Sequence, residues 1–108
     1  MKLDWALVRA RYESHPRVQP IRGGSTLQVV DIDDERVCVE QRLWRDCVSR
    51  GSLETAVDLL RDRPLPVSAI DFAEELRSYY ASGPNAITDC SRIPNLSAVI
   101  LKDLGYLA

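Results

Sequence analysis

The sequence predicts an α+β fold in which a small antiparallel sheet of two or three strands is packed by about four helices. The first observation behind it is a change of period between Thr26 and Leu60. Val37 and Val39 alternate with Cys38 and Glu40, whereas Leu53, Ala56, Val57 and Leu60 recur at i, i+3, i+4 and i+7. Alternation is the mark of a strand with one buried face, and the second spacing is that of an amphipathic helix. The second observation is size. At 108 residues, with 45% hydrophobic and 28% charged side chains, the chain is read as a single domain over 1–108 with enough apolar surface for one core.

Trp5, Val8 and Tyr12 share one helical face and Asp4 sits where its charge suits the helix dipole, so a helix is expected from about Leu3 to Glu13. Pro16 and Pro20 then impose an extended path, which Gly23 and Gly24 bend into a hairpin. Its strands are Leu27 to Ile32 and Arg36 to Gln41, with Asp33, Asp34 and Glu35 as the turn. The segment Arg42 to Val48 is ambiguous. It continues the sheet as a third strand, or forms a short helix with Trp44, Cys47 and Val48 at i, i+3 and i+4.

Ser49 suits the cap of the next helix, which runs until RDRPLP (61–66) breaks it. Ser68 and Asp71 form a looser capping box before Phe72, Ala73, Leu76 and Tyr80, a helix ending at Gly83 and Pro84. The stretch 85–93 reads as irregular. Pro94 opens a last helix, with Leu96, Val99, Ile100 and Leu104 facing the core and Gly105 ending it. The order is αβββααα, or αββααα without the third strand. The expected core is Trp5, Val8, Val37, Val39, Leu53, Val57, Leu60, Phe72, Leu76, Val99, Ile100 and Leu104.

Composition excludes more functions than it names. The formal net charge is −2, and acidic and basic side chains balance in the half up to Glu54, so neither half has the one-sign field that steers a protein onto nucleic acid or anionic lipid. No stretch approaches the roughly 18 apolar residues of a membrane span. Asp4, Arg9 and Arg11 interrupt the place where a secretory leader carries its apolar run. A cytoplasmic protein away from membranes is expected. Cys38, Cys47 and Cys90 are odd in number and sparse, which reads as free thiols.

Candidate chemistry is thin. Asp31, Asp33, Asp34 and Glu35 lack the spaced ligands and the glycine of a calcium loop and read as a solvated turn. The acid on one strand with Glu40, Gln41 and Arg42 on the other resembles the metal-holding hairpin of restriction-type nucleases, with arginine where that family has lysine. His15 could pair with a cysteine only through the fold, and no C-x2-C spacing supports a zinc site. The segment Arg22 to Thr26 reads as a tight turn, with an anion nest as its alternative. No catalytic residue, metal or cofactor is therefore assigned.

What remains is Trp44 among Arg42, Arg45 and Arg50. An aromatic anchor with basic neighbours suits a protein interface, and it is also how single-strand binders stack bases and hold phosphates. The function expected is a non-catalytic protein-interaction or regulatory module, through a protein partner or self-association as a homodimer. A nucleic-acid-binding accessory domain using these arginines is the alternative, and a small metal-dependent enzyme is a third reading. A sheet this narrow exposes its edges, so either the segment around Arg17 to Ile21 covers one or a second copy does.

Overall fold

Asp4 starts the first helix by accepting hydrogen bonds at its carboxylate from the Ala6 and Leu7 N–H groups, at 3.1 and 3.4 Å. The structure, a computed structural model, describes residues 2–21, 24–64, 66–82 and 92–108. Helix α1 (Trp5–Ser14) buries Trp5, Val8 and Tyr12, the face read from the sequence. Four strands follow, β1 (Arg17–Val18), β2 (Leu27–Ile32), β3 (Arg36–Gln41) and β4 (Trp44–Ser49), all antiparallel and lying side by side in chain order. Helices α2 (Arg50–Leu60), α3 (Ala69–Ala81) and α4 (Ile93–Asp103) complete the chain.

The α+β class is as predicted, but the sheet has four strands rather than two or three. The additional strand is β1, whose Arg17 and Val18 pair with Gln28 and Leu27. Two residues between prolines are too few to show alternation, but their pairing gives the edge cover expected of the segment around Arg17 to Ile21. The segment left between strand and helix is β4. Its Val48 pairs with Val37 and is buried, so the helical spacing of Trp44, Cys47 and Val48 is a coincidence that register overrides.

Alternation divides the sheet into two faces. Val37, Val39 and Val48 point into one core shared with all four helices, while Arg36, Glu40, Arg45 and Ser49 on the other face are exposed. In β2 the register slips between Val29 and Asp31, so Val30 is exposed. That bulge shifts the inward phase from Leu27 and Val29 to Ile32, which packs against the core.

Helix α4 is the centre of the helical layer, packing on α3, α2, β4 and β1. Leu96, Ala98, Val99, Ile100 and Leu101 are all buried, a wider apolar band than the single stripe expected, with Asn95 and Lys102 left exposed. Gly105, at φ +95°, ends it in a Schellman motif, with Gly105 N–H donating to Lys102 O at 3.0 Å and Tyr106 N–H to Leu101 O at 2.9 Å. Eleven of the expected core residues are buried; Leu104 is only partly covered, and Leu101 takes the inner position. Ser49 caps α2 through a 3.0 Å bond from Ser52 N–H, whereas Ser68 precedes α3 without a side-chain cap. The predicted stop at Gly83 and Pro84, the irregular stretch 85–91, Cys90, and Arg22 with Gly23 of the anion-nest alternative lie outside the described residues.

Candidate functional site at the β3–β4 hairpin

The pairing of Gln41 with Trp44 leaves Arg42 and Leu43 as a two-residue turn. Arg42 takes the left-handed conformation such a turn requires, at φ 48°. The turn is braced from below. The Gln41 side-chain amide donates to Ser25 O, and Arg42 Nε donates to Ser25 Oγ at 3.0 Å. Leu43 at the tip is 100% exposed.

The structure distributes the four residues singled out in the sequence over three places. Trp44 turns inward, half-buried against the core, with the Arg92 guanidinium 4.4 Å from its ring centroid. Arg92 also lies 4.0 Å from Asp46, so the cation over Trp44 is held by an acid two residues along β4. Arg45 follows Trp44 directly and so faces the other side of the sheet, opposite Glu40. Arg50 begins α2, 5.7 Å over the Trp5 ring and 3.6 Å from Glu54. Arg42 alone stays near Trp44, at the turn. Arg92, the cation that meets Trp44, was not singled out from the sequence. It comes from the start of α4, and no local pattern links it to β4.

Trp44 and Arg92 border a cleft of about 250 Å³ whose walls include Ile21, Leu27 and Leu96, with Gln41 and Asn95 as further polar groups. Walls that mix apolar and polar surface in similar shares suit a protein side chain or a small ligand.

The expectation of free thiols is overturned for two cysteines. Cys38 and Cys47 pair directly across β3 and β4 and form a disulfide, with a Cα–Cα distance of 4.0 Å. Their spacing in sequence carries no metal or disulfide signature, and only the hairpin register brings them together. That short distance marks a non-hydrogen-bonded pair, whose backbone groups point away from each other. For Cys47 they point to the outer side of β4. Its N–H is taken there by the Asp46 carboxylate at 2.8 Å, and by the same alternation Arg45 and Ser49 also present their backbone groups outward. Among the described residues no strand pairs with this side of β4.

The other candidates are dispersed. Asp33 Oδ1 accepts the N–H groups of Glu35 and Arg36 at 2.8 and 3.0 Å, and these backbone bonds, that from Glu35 first, hold its carboxyl below the usual aspartate range. The acidic run is thus a hydrogen-bonded turn. Asp31 stands beside Cys38, and Glu40 beside Gln28 and Arg45, so the two acids of the nuclease-like hairpin are not opposed. His15 is exposed at the end of α1. Among the described residues no group of three histidine, cysteine or acidic side chains could hold a metal ion, and no helix is long and apolar enough to cross a membrane. Tyr12 donates to Asp103 Oδ2 at 2.8 Å, with Arg11 Nε on the same oxygen at 2.9 Å, pinning α1 to the end of α4. Compared with family models, curated proteins and solved structures, the chain has no match that would place it in a family.

Proposed function

We propose that this domain is a non-catalytic module that binds protein along the outer side of β4, and that its first partner is a second copy of itself. The observation that supports this reading is the outward direction of the backbone groups of Arg45 and Cys47 on a six-residue edge strand, where a partner strand would take over the Cys47 N–H from the Asp46 carboxylate. The other side of the β3–β4 hairpin is occupied by β2, and the opposite edge of the sheet is the two-residue β1, which leaves β4 as the longer side open to augmentation among the described residues.

The strand is compatible with its own copy. Antiparallel pairing about a two-fold axis at Cys47 sets Arg45 opposite Ser49 of the partner subunit and Asp46 opposite Val48 of the partner subunit. No like charges are then directly opposed. Leu43, fully exposed beyond the end of the strand, adds an apolar contact at the rim. The nucleic-acid alternative has less support. The Trp44 ring is overlaid by Arg92, and Arg42, Arg45 and Arg50 do not line one track beside it.

Arg45→Pro separates these readings. It removes an outward N–H without touching the ladder to β3, a substitution edge strands tolerate. Sedimentation is expected to show a dimer of the natural chain at micromolar concentration and a folded monomer for the variant. A natural chain that stays near 12.2 kDa at all concentrations refutes the self-pairing.

A further inference from the structure

We propose that the Cys38–Cys47 bridge is a thiol-exchangeable disulfide, opened by attack of a small thiolate such as glutathione on Cys47 Sγ from the helix-free face of the sheet. Three observations carry this; the second, access to Cys47, holds for the monomer, in which the outer side of β4 is unpaired.

The bridge first of all lies on the sheet face opposite Val37, Val39 and Val48, although Cys38 itself is buried. Val37, Val39 and Val48 occupy the inner face, and alternation puts Cys38 and Cys47 on the face bearing exposed Arg36, Glu40, Arg45 and Ser49. Opening the bridge therefore leaves the packed layer between sheet and helices in place. The two sulfurs are also unequal. Cys38, between β2 and β4, is 0% exposed, whereas Cys47 on the edge strand is only partly buried. An incoming thiolate needs access to the sulfur it attacks, which selects Cys47. Finally, the bridge spans a sequence separation of 9 between strands already joined by a two-residue turn and a continuous ladder. The stabilisation from closing a loop grows with its length, so this bridge contributes at the low end of the range.

The exchange balances as follows. The thiolate forms a bond to Cys47 Sγ, the S–S bond breaks, and its electron pair leaves on Cys38 Sγ, which takes a proton from water. A second thiolate attacks the mixed disulfide at its own sulfur, releasing Cys47 as thiolate. Two small thiols are oxidised to one disulfide and the protein pair is reduced. In a reducing cytoplasm, the compartment expected from the sequence, persisting disulfides are mostly catalytic or redox-sensing. An exchangeable pair reconciles that compartment with the bridge.

The test equilibrates the native protein in glutathione buffers from fully reduced to fully oxidised, without denaturant. Free thiols are then alkylated and mapped by peptide mass, with circular dichroism in parallel. Cys38 and Cys47 are expected to interconvert between alkylated and bridged forms across this range with an unchanged spectrum. In oxidised glutathione, Cys38→Ala is expected to take up glutathione at Cys47, and Cys47→Ala to stay unmodified at Cys38. A bridge that reduces only when denaturant unfolds the chain, a spectrum lost on reduction, thiols that never bridge, or equal uptake at both cysteines overturns the proposal. The wild-type titration decides the matter even if a variant does not fold.

Discussion

Replacing Leu76 by alanine tests the helical layer on which the whole arrangement depends. Leu76 is 0% exposed on α3, and α3 packs chiefly on α4, the central helix. The substitution deletes three carbons, worth roughly 2.4 kcal/mol at about 0.8 kcal/mol each. The void left behind adds to that at about 24 cal/mol per Å³, since α4 is held on several sides and cannot collapse fully into it, and the total falls at roughly 2.5–5 kcal/mol. Urea unfolding followed by circular dichroism measures it as a lower midpoint at unchanged slope. Leu43→Ala, at the exposed tip, serves as the control and should stay within about 0.5 kcal/mol of the natural chain. A loss below about 1 kcal/mol at Leu76 would show that α3 does not bury this face, and the layer built on it would fall.

Ser97→Ala should raise stability by about 1 kcal/mol in the same assay, because the Ser97 hydroxyl is 0% exposed in α4 with no hydrogen-bond partner among the described residues and alanine removes an uncompensated polar group; a destabilised variant would mean that the hydroxyl is satisfied. Tyr12→Phe should cost about 1–3 kcal/mol at pH 7 by deleting the bond to Asp103. Burial first, and then that bond, raise the Tyr12 phenol above its ordinary value near 10, so the fold favours the neutral form; that contribution is complete below about pH 10 and is lost as pH rises beyond it. The natural chain should therefore lose more stability than the variant between about pH 10 and 12, and equal losses would refute the linkage.

The helices and the central hairpin are legible in the sequence because their causes are local. Asp4 and Ser49 cap helices through their own side chains, Gly105 supplies the left-handed residue that ends α4, and Asp33 folds the β2–β3 turn onto itself. The core follows from the same periodicities. Leu104 is the exception, because α4 is buried nearly all round and a single-face pattern cannot rank Leu101 against it. The candidate site was legible only as a composition. Trp44, Arg42, Arg45 and Arg50 are neighbours in sequence, yet adjacent strand residues point to opposite faces, and the helix begun by Arg50 carries it to Trp5 instead.

The sequence by itself therefore determined the α+β class, the helix boundaries within a few residues, the central hairpin and most of the core, since capping, turn chemistry and periodic burial act over a few residues. Tertiary structure alone decided the remainder. The choice between the two edge covers, settled by Arg17 and Val18 pairing with β2, the assignment of β4, the Cys38–Cys47 bridge and the placing of Arg92 over Trp44 each join residues with no shared local pattern. Strand register and helix packing bring such residues together, and those are set by how the elements jointly bury one core, a quantity no short window of sequence contains.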